Sequence, residues 1–506
     1  MIPAFFSSLK QYSRDKFVKD LTAGAIVGII ALPLSIALGI ASGVSPEKGL
    51  VTAIVGGFLA SLLGGCNVQI GGPTGAFVVI VAGVIARYGI DGLIMATMMA
   101  GVVLILAGVL RFGKLLEFIP YPVISGFTSG IAVVIFSTQV GDFLGLKTGK
   151  VPAEFLHKWG SYFHAISTVS WQTVLIGAFT LAVILLWPKI NRRIPGTLIA
   201  ILAATFIAFF LPQADTIGSR FTEISSTFPV PSFPAWSFSK AIALMPTALT
   251  IAFLAGVESL LSATVADGMT GMHHDSNMEL VGQGVANIGS ALFGGIPVTG
   301  ALARTAANIK NGGRSPVSGI VHSVTLLLIL LVGMPYVKYV PMAALAAVLM
   351  MVAYNMGEWE YFREMKNLPK SDCAVFLTAF CLTVVLDLVM AIGTALILAA
   401  VLVLIRLKNM VGMQAENVEN GVMRMKVNGP LFFVAAQKLR EMPQSERDEL
   451  NTLLLDLQGV PFMDASALKA LVALKESAGR QGIALRLENL QSQPHTLLTR
   501  NGFELA

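Results

Sequence analysis

Apolar stretches, one after another between Leu21 and Ile405, constrain this chain more than any other feature. A helix needs about 20 mostly apolar residues to cross the hydrocarbon core of a bilayer. Residues 21–40, 49–64, 93–110, 123–140, 173–187 and 196–211 form a first group of such stretches, and 242–264, 280–293, 317–332, 342–354, 374–386 and 388–405 a second. Two shorter segments interrupted by glycine, 76–86 and 301–309, sit at matching places in the two groups. The expected fold is a polytopic α-helical membrane protein with about fourteen transmembrane elements, seven in each half.

Charge density divides the chain. Soluble domains carry roughly 25% Asp, Glu, Lys and Arg, whereas this chain of 506 residues carries 13%. From Val411 to Ala506 there are 21 charged residues in 96 positions, a soluble density, against 43 in the first 410. We therefore expect a membrane domain over 1–410, with repeats at about 20–212 and 241–408, and a soluble domain over 411–506. A water-soluble enzyme is excluded, and no nucleotide loop, catalytic triad or hydrolase constellation is present.

The net charge of +6 resides in the membrane part, so it reflects topology and does not imply nucleic acid. With the N-terminus in the cytoplasm, sixteen Lys and Arg residues near span ends fall inside and eight outside. The positive-inside rule favours that orientation, which puts the tail in the cytoplasm as well, and the expected location is the cytoplasmic (inner) membrane. The first apolar stretch reads as a retained span rather than a signal peptide. Cys66, Cys373 and Cys381 lack metal-ligand spacing, so neither a disulfide nor a zinc framework follows.

The halves are related. A shift of 230 lays 49–65 on 279–295, where Leu50, Val51, Val55, Leu62, Gly64 and Gly65 meet Leu280, Val281, Val285, Leu292, Gly294 and Gly295. Just beyond, Pro73-Thr74-Gly75-Ala76 faces Pro297-Val298-Thr299-Gly300-Ala301. An odd number of elements per copy makes the repeats inverted, the architecture of many secondary transporters. Polar backbone broken by Gly and Pro is tolerated at membrane depth only where protein or a water cavity covers it.

This pairing predicts that Thr74 and Thr299 open two half-helices whose free N–H groups and positive dipole ends converge on an anion. Close helix packing is the other use of such glycines. Glu258 lies in an otherwise apolar span, with Ser262 one turn away on the same face. An intramembrane carboxylate costs about 2.5–3.5 kcal/mol on insertion scales and marks a functional site by default. Arg304, one turn into the second half-helix, would complement an anion or pair with a carboxylate. A carboxylate beside a bound anion repels it unless H⁺ or Na⁺ neutralises the pair. Inward movement of one negative charge against the membrane potential costs about 2.3 kcal/mol per 100 mV. Cation symport at Glu258 offsets both penalties, and exchange for an internal anion removes the electrical one.

These residues resemble the SulP (sulfate permease) family of anion transporters. The likeness runs through Asp20-Leu21-Thr22-Ala23-Gly24, Gly71-Gly72-Pro73-Thr74-Gly75, Gly294 to Ala301, Arg304-Thr305 and Asn311-Gly312-Gly313-Arg314-Ser315. It implies a seven-plus-seven inverted repeat of the uracil-permease type, a core moving against a gate, and a homodimer. By motif, the anion site would fall at Thr74, Gly75, Ala76, Thr299, Gly300, Ala301 and Arg304. Many sulfate-type members have Pro-Gln in the first span where this chain has Pro33-Leu34, which looks more like the sodium-bicarbonate branch. That branch has Asp and Thr as sodium ligands where this chain has Glu258 and Ser262, so both Na⁺ and proton coupling are open. The implied substrate is a small inorganic oxyanion, bicarbonate or sulfate, with dicarboxylates as an alternative and no bound cofactor.

In the tail, 422–427, 431–434, 452–457 and 483–487 read as strands, with helices over 446–450 and 466–477. The stretch from Asp456 to Leu471 resembles the core of a STAS domain, so a cytoplasmic partner, unidentified, is implied. Ser466 matches the position phosphorylated in anti-sigma antagonists of that family; a helix N-cap at Asp464 or Ser466 is the plainer role. His273 and His274 read as solvated. Two competing functions share the helical pattern. A nucleobase permease would need a second carboxylate where this chain offers Thr299 and Arg304, and an anion-binding sensor would signal through the tail without flux.

Overall fold

The computed structural model describes residues 1–10, 12–116, 120–149, 151–152, 154–191, 195–211, 214–221, 224–234, 236–385, 388–415, 421–433 and 450–503. It divides into two compact units, Met1–Leu396 and Ile397–Ala506.

The expected membrane elements follow in the expected order, the last of them running past Leu396 into the second unit. The first repeat holds α1 (Arg14–Ala41), α2 (Pro46–Leu63), α3 and α4 on either side of Gly89 within Gly75–Val109, α5 (Tyr121–Leu144), α6 (Trp171–Ile190) and α7 (Gly196–Ala208). The second holds α8 (Phe238–Thr270), α9 (Ser276–Leu292), α10 (Leu302–Lys310), α11 (Pro316–Val337), α12 (Met342–Met356), α13 (Lys370–Val385) and α14 (Leu388–Met410). Among the described residues seven helices are long and apolar enough to cross a membrane alone, or eight if the bent pair Met342–Met356 and Trp359–Asn367 counts as one. Of the others, α7, α9, α10 and α13 have 13, 17, nine and 16 residues, and α14 contains the apolar helix Gly393–Leu407.

Local chemistry sets the boundaries. Ser13 caps α1 by accepting from Lys16 N, Asp275 caps α9 through Asn277 N and Met278 N at 3.0 Å, and Ser315 caps α11 ahead of Pro316. Gly145 and Gly271, at φ 64° and 72°, end α5 and α8 in the left-handed conformation that glycine adopts without penalty.

The helices pack as two groups. In one, α4 lies against α8 and α9, α1 against α11, and α2 against α9 and α11. Gly101 of α4 and Gly284 of α9 face each other so closely that a Cβ on either would press on the other's carbonyl oxygen. In the second group α5 packs on α12 and α13, and α6 on α7 and α12. These are the core and gate layers of an inverted repeat.

The second unit has a four-stranded sheet in the order β3 (Gly412–Ala415), β4 (Val422–Asn428), β5 (Thr452–Gly459), β6 (Ala484–Glu488), antiparallel between the first two strands and parallel thereafter. The helices α15 (Ala465–Gly479) and α16 (Ser492–Arg500) help close a core of Val427, Leu455, Leu457, Met463, Leu471 and Leu498. Of the strand expected at 431–434 only a single bridge, Leu431 to Met463, is formed. Val434, and all of the helix expected at 446–450 except Leu450, lie outside the described residues. The strand at 412–415 has only four residues, three of them exposed, too short a pattern to stand out in the sequence.

Candidate functional site

Two extended stretches interrupt the core helices, one ahead of α3 and one ahead of α10, and they pair with each other. Gly71 and Gly72 form β1, and Thr299 and Gly300 form β2, antiparallel, with Gly71 opposite Gly300 and Gly72 opposite Thr299. Any side chain at this crossing would displace one that the site uses. A Cβ on Gly72 would strike the Arg304 guanidinium, and one on Gly300 would strike the Gln69 amide.

Non-helical backbone at this depth must find its partners within the protein. Asn287 of α9 donates through Nδ2 to the Val298 carbonyl at 2.8 Å and accepts from Val298 N at 3.0 Å. Ser290 Oγ donates to the Ile296 carbonyl at 2.7 Å, and Ile296 N donates to Thr52 Oγ1 of α2 at 2.8 Å. In the other stretch, Gly65 N and Cys66 N donate to Glu279 Oε2 at 2.9 and 3.1 Å, Gln69 Nε2 donates to Glu279 Oε1 at 2.6 Å, and Ile70 N donates to Thr305 Oγ1 at 3.1 Å. Of these supports only Thr305 falls in a motif noted in the sequence, and none is expected in this role. Glu279, Gln283 and Asn287 do recur every fourth residue in an otherwise apolar segment, one polar stripe on one helix face, and that is the signal by which they could be found.

Thr74 is the N-cap of the turn Gly75–Phe77 that runs into α3, so Gly75 and Ala76 supply the first N–H groups of a helix start. A Cβ on Gly75 would lie 2.8 Å from Ile135 Cδ1 of α5 and 3.6 Å from Met356 Sδ of α12. This helix start therefore opens onto the gate layer.

The second start differs from expectation. The N-cap of α10 is Ala301, and Thr299 lies two residues earlier because its pairing with Gly72 keeps it extended. The Thr299 hydroxyl is 3.0 Å from the Ala255 carbonyl and 2.8 Å from Ser259 Oγ, both of α8. Gly300 N donates to Ser259 Oγ at 2.9 Å and Ala301 N to the Ile70 carbonyl at 2.9 Å. Ser259 thus ties the crossing to α8, a role its place beside Glu258 does not reveal.

Glu258 faces the crossing from α8. Thr74 Oγ1 donates to its Oε2 at 3.0 Å, a bond that joins the two repeats. Ser262, expected beside that carboxylate, instead donates to Thr305 Oγ1 of α10 at 3.3 Å. Arg304 is 2% exposed. Its Nη2 reaches the Pro73 carbonyl at 3.1 Å and Ser35 Oγ of α1 at 3.4 Å, while Nε and Nη1 have no partner. Among the described residues no carboxylate pairs with it. His322 of α11 is likewise buried, with neither ring nitrogen bonded. A buried cation, two helix starts and a carboxylate held by one of their caps are thereby brought together.

Two readings outside this cluster are resolved. His274 is not solvated: its side chain is 9% exposed, with Nδ1 2.8 Å from Asp267 Oδ2 and Nε2 3.1 Å from Ser276 Oγ. In the tail, the cap of α15 is Asp464 rather than Ser466, its Oδ1 accepting from Ser466 N and Ala467 N at 2.9 and 2.8 Å.

Comparisons with known proteins bear on the whole chain. A model described as the sulfate permease family matches residues 17–379, and one described as the STAS domain matches 415–505. The "Putative sulfate transporter YvdB" of Bacillus subtilis is 43% identical over 98% of this chain and 96% of its own length. The "Bicarbonate transporter BicA" of Picosynechococcus sp. is 31% identical over 91% of this chain and 86% of its own. The solved transmembrane domain of a cyanobacterium bicarbonate transporter BicA superposes with a TM-score of 0.68 at 30% identity, covering 77% of this chain and 98% of that one. The murine Solute Carrier 26 family member A9 anion transporter in the inward-facing state reaches 0.88 over 99% of this chain and 90% of its own, at 19% identity, a likeness of fold alone.

Proposed function

The chain belongs to the sulfate permease family of anion transporters and carries a STAS domain, and within that family we propose that it moves a small inorganic oxyanion, bicarbonate or sulfate, by cation symport. The observation that carries this reading is Arg304, a buried guanidinium with two unpartnered nitrogens, set against Gly72 and the Pro73 carbonyl just ahead of the helix start that Thr74 caps. An unpaired buried cation is costly. A bound oxyanion would pair with it and with the α3 N–H groups at once.

Glu258 is the coupling residue in this proposal. Its carboxylate shares Thr74 with the anion's helix start, so H⁺ or Na⁺ at Glu258 would lower the repulsion felt by the anion. The cation also offsets the cost of moving a negative charge inward, about 2.3 kcal/mol per 100 mV. Alternating access follows from the core and gate layers, with Gly75 seated at their seam. The proposal includes an inner-membrane location with the N-terminus and STAS domain in the cytoplasm, and a homodimer.

The test is uptake of labelled bicarbonate, sulfate and fumarate into proteoliposomes under imposed Na⁺ or H⁺ gradients, for wild type and Glu258→Gln. Uptake of one anion driven by one gradient, and lost in the variant, is the expected result. Fumarate uptake would replace the inorganic substrate with a dicarboxylate. Folded protein that moves none of the three would overturn the reading.

A further inference from the structure

A cavity of about 140 Å³ lies at the seam between core and gate, lined among others by Ala37 of α1, Thr138, Gln139 and Asp142 of α5, Leu345 of α12, and Arg220. Three helices connect it to the site already described. On α5, Ile135 touches Gly75, and Thr138, Gln139 and Asp142 follow at three, four and seven residues, one continuous face. At 1.5 Å per residue that face climbs about 10 Å. On α1, Ser35 meets Arg304, and the cavity begins at Ala37. On α12, which runs the other way, Met356 is at the site, and the stretch from Leu349 back to Met342 lines the cavity. The cavity is therefore the next space along the seam toward the C-terminal ends of α1 and α5. Because α1 is the first crossing, this is the membrane face opposite the N-terminus.

Arg220 stands at that face, in the short helix Ile217–Arg220. Ile217 N donates to the Val340 carbonyl at 2.9 Å, Gly218 N to the Lys338 carbonyl at 2.8 Å, and Met342 N to the Asp215 carbonyl at 2.8 Å, which fixes the segment over the start of α12. The guanidinium grips Asp142 with two bonds, Nη2 to Oδ1 at 2.7 Å and Nη1 to Oδ2 at 3.2 Å. Neither partner is fully buried, with side-chain exposures of 43% for Arg220 and 26% for Asp142, so water and dissolved anions reach the pair. A carboxylate held by two parallel N–H bonds has the same geometry as a bound oxyanion.

We propose that this cavity is an anion-capture subsite, in which Arg220 exchanges Asp142 for an incoming small oxyanion that then descends the α5 face to Gly75 and Arg304. The freed Asp142 carboxylate repels the captured anion and keeps its stay short, while Gln139, whose Nε2 gives one N–H to Thr138 Oγ1 at 2.9 Å, has a second to offer on the way down. Water occupies roughly 30 Å³ per molecule, so the cavity holds an oxyanion with part of its hydration shell. This rests on the transport reading above.

The experiment measures the concentration dependence of labelled sulfate and bicarbonate uptake by intact cells, with equilibrium binding of the same anions to the purified full-length protein. Arg220→Gln is expected to raise the half-saturation concentration roughly five- to ten-fold, more than it lowers the maximal rate, and Asp142→Asn to lower it. An unchanged half-saturation in Arg220→Gln overturns the subsite. So does a wild-type half-saturation in the double variant Arg220→Gln with Asp142→Asn, which would reduce the pair to a structural latch. Binding separates this proposal from the transport reading. If wild type moves neither anion, a binding class lost in Arg220→Gln but kept in Arg304→Gln still supports capture, and a single class lost only in Arg304→Gln overturns it.

Discussion

At the scale of single residues, the chemistry is legible in the sequence but its partners are not. Glu258 and Arg304 stand out because ionisable groups are costly in apolar spans. Their contacts come from other elements, Thr74 and Pro73 from the first repeat, and no spacing within one helix encodes those. Ser262 illustrates the limit: one turn from Glu258, it bonds Thr305 instead, while Ser259 takes Thr299 and Gly300. Glu258→Gln, which mimics the neutral carboxyl, is expected to cut gradient-driven uptake roughly ten-fold or more while anion counterflow persists. Ser259→Ala is expected to impair both, since it leaves Gly300 N without its acceptor. Paired counterflow and gradient-driven assays on the two variants check this; equal loss of both activities in Glu258→Gln would remove it from coupling.

At the scale of elements, the membrane helices are legible because a bilayer imposes length and apolarity on each. The half-helix starts are legible because the repeat prints them twice. What the repeat does not convey is asymmetry: α3 starts on Thr74, whereas strand pairing displaces the start of α10 to Ala301. The stripe on α9 underwrites that pairing. Replacing Asn287 by Leu strips the Val298 N–H and carbonyl of their partner, at about 1–3 kcal/mol for each orphaned group. A lower thermal midpoint in detergent than for Asn311→Leu, whose Nδ2 serves only a helix carbonyl, is the expected outcome. In the tail, Asn489 Nδ2, then Gln458 N and the nearby Arg424, hold the Asp456 carboxyl below its ordinary value against the opposing effect of burial. A depressed folded value adds stability above the unfolded value of about 3.9 and loses it as pH falls through the folded one. The STAS unit should therefore weaken below about pH 4 in wild type. In Asp456→Asn it should be weaker at neutral pH and flatter in acid, as pH-dependent unfolding of that unit would reveal.

At the scale of the whole molecule, the inverted repeat explains why the site sits where two layers meet. Each half contributes one broken helix to the core, and the gate supplies Ile135 and Met356 as the facing wall. If transport requires the core to slide on the gate, joining α1 to α12 must stop it, whereas joining two core helices must not. Ala37 and Leu345 line one cavity from opposite layers. Val55 and Gly289 lie within the core, where a Cβ on Gly289 would be 3.4 Å from Val55 Cγ1 once the tip of Leu59, which that Cβ meets first, has turned aside. In a background lacking Cys66, Cys373 and Cys381, Ala37→Cys with Leu345→Cys, bridged by a short bismaleimide, is expected to abolish uptake. Val55→Cys with Gly289→Cys, oxidised to a disulfide, is expected to retain most of it. Full uptake by the bridged α1–α12 pair would mean that these layers move as one body, and the route from capture cavity to Gly75 would then have to open by local rearrangement of side chains along α5.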